Sequence, residues 1–173
     1  MKAYFFLFLF VFVACGTQEG VQWKAFEEVD KLHSANPKKG VVLIYDDSCE
    51  DCIHAKEYVL TEPSIAAYIN EHFYAMQLEI FEERNIQFNG KNWTSEASLQ
   101  GPKYSTLAMA LCQETDQVPT PTYAFLDERL NLIIPIKKNL SREDLKLLLK
   151  FIAEDKFKEM SIDQFREMFD GEL

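Results

Sequence analysis

The sequence predicts an α/β fold in which a mixed central sheet is covered by helices on both faces. Three observations support this prediction. An apolar run at residues 41–45 has the length of a buried strand, and residues 73–81 alternate apolar and polar side chains. Two further apolar runs, 122–126 and 132–136, are separated by a short polar turn. Because helical patterns alternate with these strands along the chain, both faces of the sheet are expected to be covered.

The first half of the chain predicts three helices. Residues 21–34 carry apolar side chains at helical spacing, beginning at Trp23, and Asn36 and Pro37 end the pattern. A second helix is predicted over residues 49–60. A third begins at Pro63, since proline suits the first helical turn, where its missing N–H would have no partner.

Residues 82–103 interrupt the alternation and are interpreted as an insertion. Asn89–Gly90 lies between two short runs, 86–88 and 91–93. Asn-Gly is favoured where both turn residues need a positive φ, so a β-hairpin is predicted there. A short helix is predicted to follow, over residues 104–113.

The last third of the chain predicts two strands and two helices. The strand at 132–136 is placed near a sheet edge because Pro135 cannot donate to a ladder. Ser141 and Ser161 each stand three residues before a polar partner, Asp144 and Gln164, in a pattern typical of helix N-termini. Residues 155–173 are therefore expected to form an extra C-terminal helix.

Composition indicates a single folded domain, assigned to residues 21–173. The 173-residue chain is 47% hydrophobic and 13% aromatic, which is enough to bury a core, and no internal repeat is visible. Its formal net charge is −10. An acidic domain of this kind is not expected to bind nucleic acid or an anionic lipid surface.

The amino terminus resembles a bacterial lipoprotein signal peptide. Met1-Lys2 is a minimal basic region, and residues 3–14 are almost wholly apolar but too few to span a bilayer, which needs about 20. Residues 12–15 are similar to a lipobox with Phe12 in the usual leucine place. We expect residues 1–14 to be removed, Cys15 to be lipidated, and residues 15–20 to form a tether. An uncleaved or conventionally cleaved signal is the alternative.

Cys49-Glu50-Asp51-Cys52 is the motif that carries chemistry. Two thiols at i and i+3, where a strand turns into a helix, can close and reopen a small disulfide ring. Cys49 is predicted to be the nucleophile because the helix N-terminus stabilises its thiolate, and Cys52 to be the resolving thiol. A structural disulfide and half of a zinc site are the alternatives, although no short-spaced pair of further ligands accompanies the motif.

With this motif the chain resembles the thioredoxin superfamily over about residues 21–153. Thr120-Pro121, just before the strand at 122–126, completes the resemblance. It implies a three-layer thioredoxin-like fold, a cis Thr120–Pro121 bond beside the cysteines, and substrate backbone pairing at Thr120 and Pro121. Pro119 is a competing candidate for the cis proline. Among members of the superfamily, the chain is similar to lipid-anchored or periplasmic proteins of the disulfide-interchange type, with an extra N-terminal helix containing Trp23.

The chain departs from thioredoxins around the motif. Ser48 replaces the tryptophan before the first cysteine, Ile53 the lysine after the second, and Leu43 the buried aspartate six residues before the first. Four carboxylates also flank Cys49: Asp46, Asp47, Glu50 and Asp51. Their repulsion of a thiolate, about 0.7 to 2.8 kcal/mol for a charge about 6 Å away, exceeds the typical gain of about 0.3 to 1 kcal/mol from a helix terminus. A reducing or slow pair is therefore expected, not a strong oxidant.

These features predict a thiol-disulfide oxidoreductase of the bacterial cell envelope, lipid-anchored and facing the periplasm or the cell surface. Its expected partners are proteins with disulfides, a membrane or periplasmic thiol reductant, and the membrane through the lipid on Cys15. No cofactor or metal is expected. One alternative is a non-catalytic binding or scaffold lipoprotein with a structural Cys49–Cys52 disulfide. A metal carrier that uses both thiolates is a second alternative.

Overall fold

The computed structural model describes residues 20–97 and 102–173. The predicted signal sequence, Cys15 and most of the predicted tether lie outside these ranges. The α-helices are α1 (Phe26–Ala35), α2 (Glu50–His54), α3 (Pro63–His72), α4 (Thr106–Cys112), α5 (Arg142–Ala153) and α6 (Ile162–Met168). The strands are β1 (Lys39–Tyr45), β2 (Phe73–Glu79), β3 (Ile86–Phe88), β4 (Lys91–Trp93), β5 (Ser95–Ala97), β6 (Lys103–Ser105), β7 (Thr122–Leu126) and β8 (Leu132–Ile136).

The central sheet is mixed, as predicted. Its strand order is β2-β1-β7-β8, with β1 parallel to β2 and the two other pairings antiparallel. β8, which contains Pro135, lies at an edge of the sheet, as the proline indicated.

Alternate side chains of the sheet enter two separate cores. From β1, Val42 and Ile44 pack with α1 and α4, while Val41 and Leu43 pack with α3 and α5 on the opposite face. This is the consequence of the two-residue period of a strand. The predicted architecture of a sheet with helices on both faces is confirmed, and β1 is buried between the layers.

The first helix is shorter than predicted. It begins at Phe26 and not at residue 21, so Trp23 precedes the helix. Trp23 forms an isolated parallel bridge with Ala75, and the N–H of Lys24 donates to the Ala75 carbonyl. These tertiary bonds hold the segment extended along β2, where its apolar spacing suggested a helix.

The insertion contains the predicted hairpin and a second one. β3 and β4 pair around Asn89 and Gly90, whose φ angles of 50° and 70° are the positive values that the sequence implied. β5 and β6 form another antiparallel pair, so residues 103–105 are strand and the following helix starts at Thr106, not at 104. The insertion thus continues two residues beyond its predicted end.

The carboxyl-terminal segment follows the predicted caps, but its extra helix, α6, is shorter than the predicted 155–173. The side chain of Ser141 accepts from the N–H of Asp144 at the start of α5. Ser161 and Gln164 form a full capping box at the start of α6, after a 3-10 turn at Lys156–Lys158. Within the described ranges, no helix combines the length and apolar character needed to cross a membrane.

Candidate redox site

The two cysteines lie where β1 leaves the sheet and the next helix starts. Cys49 is the N-cap of α2, and its sulfur accepts a hydrogen bond from the Cys52 N–H at 3.1 Å. The two residues are joined as a disulfide, with their Cα atoms 5.2 Å apart. Because only a short loop separates the end of β1 from the start of α2, both sulfurs lie at the same end of the sheet.

The two cysteines differ in accessibility. Cys52 is 1% exposed, whereas Cys49 is only partly buried. Attack on a disulfide needs an approach in line with the sulfur, so the accessible Cys49 is the sulfur that a large substrate can reach. Cys52 is within reach of Cys49 itself. This asymmetry is the arrangement that a nucleophilic and a resolving thiol require.

The segment before β7 meets the cysteine loop at the end of the sheet. The Thr120–Pro121 peptide bond is cis. Thr122 pairs with Ile44 across the β1–β7 ladder, so Pro121 comes just before the strand that faces the end of β1. The rival candidate, Pro119, has no cis bond, and its carbonyl accepts from the Thr122 hydroxyl at 2.7 Å.

Comparison with known families identifies this arrangement. Residues 26–153 match the family model described as thioredoxin-like domain. The chain belongs to the thioredoxin-like family. The matched segment contains the cysteine pair, the cis proline and all four strands of the central sheet, and it ends with α5.

Solved structures share the fold at low sequence identity. A thioredoxin-fold protein from Helicobacter pylori is 20% identical, with a TM-score of 0.56 over 77% of this chain and 80% of that one. The DsbH oxidoreductase is 13% identical, with a TM-score of 0.55 over 79% and 86%. A thioredoxin from Thermus thermophilus is 14% identical, with a TM-score of 0.55 over 78% and 88%. No curated protein matches the chain.

The helix that carries the cysteines is attached to the chain around α5 at two points. Asp51 accepts a hydrogen bond from the Asn139 side chain at 2.9 Å. Further along, the Tyr58 carbonyl accepts from Nε and Nη2 of Arg142, at 2.9 and 2.7 Å. These anchors fix the position of α2 and of the segment after it relative to the sheet.

A π-helical segment, Ala55–Val59, continues directly from α2, where the sequence predicted uninterrupted α-helix. The Leu60 N–H donates to the Ala55 carbonyl at 2.9 Å, one residue further back than in an α-helix. The Tyr58 carbonyl is in the last turn of this helical run, where carbonyls have no partner within the helix, and Arg142 supplies one. Periodicity of apolar residues does not distinguish this geometry from α-helix over five residues.

The carboxylates around Cys49 have different partners. Asp46 accepts from the N–H and the hydroxyl of Ser48, both at 2.7 Å, and its carbonyl accepts from the Cys49 N–H. Asp47 lies 3.5 Å from Lys56. Glu50 is exposed. Asp46 therefore holds the loop through hydrogen bonds from uncharged groups of Ser48. Its carboxylate has no ion-pair partner in the described ranges.

Beneath the site, the position that holds aspartate in thioredoxins is apolar. Leu43 is 1% exposed and pairs with Tyr123 across the β1–β7 ladder. Tyr123 is also 1% exposed, and its hydroxyl has no hydrogen-bond partner among the described residues. Burial raises the pKa of this phenol, so Tyr123 is neutral at physiological pH. Neither residue supplies a carboxylate to accept a proton from Cys52.

Cys112 is buried in the core on the α1 and α4 face. Burial raises the pKa of its thiol to about 11, against a smaller opposite effect of the Thr122 hydroxyl. It is therefore a protonated core thiol at neutral pH. Residues 20–97 and 102–173 contain no cluster of three or more His, Cys, Asp or Glu side chains placed to hold a metal ion.

Sequence reasoning missed a groove beside the cysteine loop. It has a volume of about 360 Å³, and Asp46 and Thr120 are among the residues that line it. Phe81 and Tyr104, which stack with ring centroids 5.4 Å apart, line it as well. These two aromatic residues stand at the two ends of the predicted insertion at 82–103. An aromatic pair bracketing an insertion was the available signal that the ends meet.

Proposed function

We propose that the protein is a thiol-disulfide oxidoreductase of the bacterial cell envelope that acts on disulfides of other proteins. The observation that carries the proposal is the unequal pair: a partly accessible Cys49 sulfur at a helix N-terminus and a buried Cys52 sulfur within bonding distance. Family membership supports it, because the pair and the cis proline occupy one end of a thioredoxin-like sheet.

The proposed exchange starts from the dithiol form. The Cys49 thiolate attacks one sulfur of the substrate disulfide, and the other substrate sulfur leaves as a thiolate that takes a proton from water. Cys52 then loses its proton and attacks the Cys49 sulfur of the mixed disulfide, which releases the second substrate thiol. The substrate gains two electrons and the Cys49–Cys52 disulfide forms. A dithiol reductant of the envelope returns the two electrons and two protons.

Substrate positioning is assigned to Thr120 and Pro121. The chain there leads into β7 at the sheet end that also presents Cys49. An extended substrate segment that lies along Thr120 would bring its disulfide to the Cys49 sulfur while Cys52 stays covered. This explains why the two cysteines need not have equal access.

Location is proposed from the amino-terminal sequence alone. Removal of residues 1–14 and lipidation of Cys15 would anchor the domain to a membrane, facing the periplasm or the cell surface. Labelling of the expressed full chain with a radioactive fatty acid tests this proposal. Label that is lost in Cys15→Ala supports the anchor, and label-free wild type contradicts it.

Reduction of insulin in the presence of dithiothreitol tests the activity. Wild type is expected to accelerate it, and Cys49→Ser is expected to fall to the uncatalysed rate because the attacking sulfur is gone. Cys112→Ala, which removes a buried thiol that is not part of the Cys49–Cys52 pair, serves as the matched control and should retain turnover. A wild type that matches Cys49→Ser would favour the alternative of a non-catalytic scaffold, in which Cys49–Cys52 is a structural disulfide.

A further inference from the structure

The groove beside Cys49 adjoins the path proposed for a substrate. Two of its lining residues belong to the redox site: the Asp46 carbonyl accepts from the Cys49 N–H, and Thr120 begins the cis peptide bond. A substrate segment that lies along Thr120, as proposed above, would therefore lie next to this groove. At about 360 Å³ the groove has room for one long side chain.

The aromatic part of the groove lining, Phe81 and Tyr104, depends on the insertion. Ser105 at the end of β6 donates its N–H to the Ile80 carbonyl at 2.8 Å, which ties the second hairpin to the end of β2. Tyr104 then stacks on Phe81, and Phe81 remains 36% exposed. The result is an open aromatic surface next to the cysteine loop. Such a surface suits the aliphatic stem of lysine or arginine, whose charged end remains at the edge.

Two carboxylates beside this surface, Asp46 and Glu79, have no counter-ion among the described residues. Among residues 20–97 and 102–173, the donors to the Asp46 carboxylate are the neutral N–H and hydroxyl of Ser48, and Glu79 accepts from the Phe81 N–H at 2.6 Å. Neither carboxylate has an ion-pair partner in the part of the chain that the structure describes. Glu114, which also lines the groove, is paired with Lys137. Lys56 is paired with Asp47, and Arg84 with Glu27 and Glu82, so the described ion pairs of these cations leave Asp46 and Glu79 without a partner.

Two titratable groups respond to this negative potential. Burial raises the pKa of Glu79, and the charges of Asp46, Asp47 and Glu82 raise it further. Burial also raises the pKa of Tyr45, and again nearby carboxylates add to the shift. A cation placed at the groove would relieve the repulsion that both shifts report.

We propose that this groove selects substrates with a lysine or arginine close to the reacting disulfide. The inference rests on the proposed function and names its substrate class. The aliphatic stem would lie on Phe81 and Tyr104, and the cationic end would meet the Asp46 carboxylate in a charge-assisted contact. Acidic neighbours of the disulfide would be repelled by the same charges.

Matched peptides test the selection. Each carries one cysteine in a mixed disulfide with mercaptoethanol, and an adjacent arginine, glutamine or glutamate. The second-order rate of reaction with the reduced protein is divided by the rate with bis(2-hydroxyethyl) disulfide, which is uncharged. This division cancels any general change in Cys49 reactivity. We expect the arginine peptide to react about tenfold faster than the glutamate peptide at low salt, with the ratio falling as salt rises.

Asp46→Asn tests the assigned residue, because asparagine keeps the oxygen that accepts from Ser48 and removes only the charge. The arginine-to-glutamate ratio should fall to within about twofold of unity. Glu143→Gln, the same charge change on an exposed residue of α5, should retain the wild-type ratio. Equal rates for the three peptides in wild type, or a ratio unchanged in Asp46→Asn, would overturn the inference.

Failure of the proposed function gives a different result, since then no disulfide reacts, including the uncharged reference. Binding still decides the inference in that case. Serine-for-cysteine versions of the peptides are titrated into the oxidised protein and followed by NMR. The arginine peptide should shift the amide resonances of Phe81 and Tyr104, and the glutamate peptide should not. Equal shifts from both peptides would overturn the proposed selectivity.

Discussion

Replacing Tyr123 by phenylalanine is expected to stabilise the protein. The Tyr123 side chain is 1% exposed between the sheet and α5, and its hydroxyl finds no partner within the described ranges. A buried polar group without a hydrogen bond costs about 1 to 3 kcal/mol. Phenylalanine keeps the ring packing and removes only the oxygen. We therefore expect the free energy of unfolding to rise by about 1 to 2 kcal/mol.

Tyr74→Phe is the matched control with the opposite sign. Tyr74 is also buried, at 6% exposed, but its hydroxyl donates to the Asn36 carbonyl at 2.9 Å. Loss of that bond should lower the free energy of unfolding by about 0.5 to 1.5 kcal/mol. Urea denaturation of the oxidised proteins, followed by circular dichroism, measures both changes. A Tyr123→Phe variant destabilised as much as Tyr74→Phe would refute the reasoning.

Alkaline pH gives a second measurement on the same residue. Burial raises the pKa of Tyr123 above its ordinary value of 10.0. Above about pH 10 the unfolded chain loses the phenolic proton while the folded protein keeps it, so stability falls as pH rises. Tyr123→Phe lacks this contribution and should lose less stability between pH 9 and 11 than wild type. Identical alkaline losses would contradict the assigned burial of the phenol.

Two further predictions concern the sheet and its ion pairs. Gly40→Ala should lower the free energy of unfolding by about 1 kcal/mol in urea denaturation. The new Cβ would lie 3.1 Å from Leu126 Cδ1 and 3.3 Å from Met76 Cε, in a core that has no space for it. Unchanged stability would contradict this prediction, because it would mean that these side chains can shift to admit the methyl group. Lys39 Nζ lies 2.6 Å from a carboxylate oxygen of Glu128. The hydrogen bond from Lys39 keeps the pKa of Glu128 below its ordinary value of 4.5, although burial acts in the opposite direction. The stabilisation from this ion pair is present above about pH 4.5 and is lost as the pH falls and Glu128 becomes protonated. Lys39→Gln should therefore lose less stability than wild type as the pH is lowered, measured by urea denaturation at several acidic pH values. An equal loss in both proteins would contradict the contribution of this ion pair.

The sequence predicted the elements whose signals are local. β7 occupies residues 122–126 as predicted, since Thr122 and the four apolar residues after it are bounded by Pro121 and a polar turn. The hairpin at Asn89–Gly90 and the start of α6 at Ser161 depend on turn and cap chemistry within four residues. Such features need no knowledge of distant contacts.

The errors arise where distant contacts decide the structure. Trp23 is extended because its neighbour Lys24 bonds to Ala75, about fifty residues away. β5 and β6 have three residues each, too few for a strand period, and a bond from Ser105 to Ile80 holds β6 in place. The Ser105–Ile80 bond also brings Tyr104 to Phe81 in the groove, a contact that the sequence signals only by an aromatic residue at each end of the insertion.

The candidate redox residues were accessible to sequence reasoning because their signals are strong. Two cysteines at i and i+3 after an apolar strand, and a proline directly before another strand, indicated both halves of the site. The roles of Cys49, Cys52, Thr120 and Pro121 remain predictions. Their relative positions follow from the register in which β1 pairs with β7. The apolar patterns of the two strands specify that register only once it is known that these strands are neighbours.

Covalent trapping tests the division of roles between the two cysteines most directly. The reduced single variants Cys52→Ser and Cys49→Ser are each mixed with a disulfide-bonded peptide, and adducts are measured by mass spectrometry. Cys52→Ser should accumulate the peptide on Cys49, because the partly exposed sulfur attacks and no resolving thiol releases it. Cys49→Ser should form little adduct, because Cys52 is 1% exposed. Equal adducts in both variants, or none in either, would contradict the account.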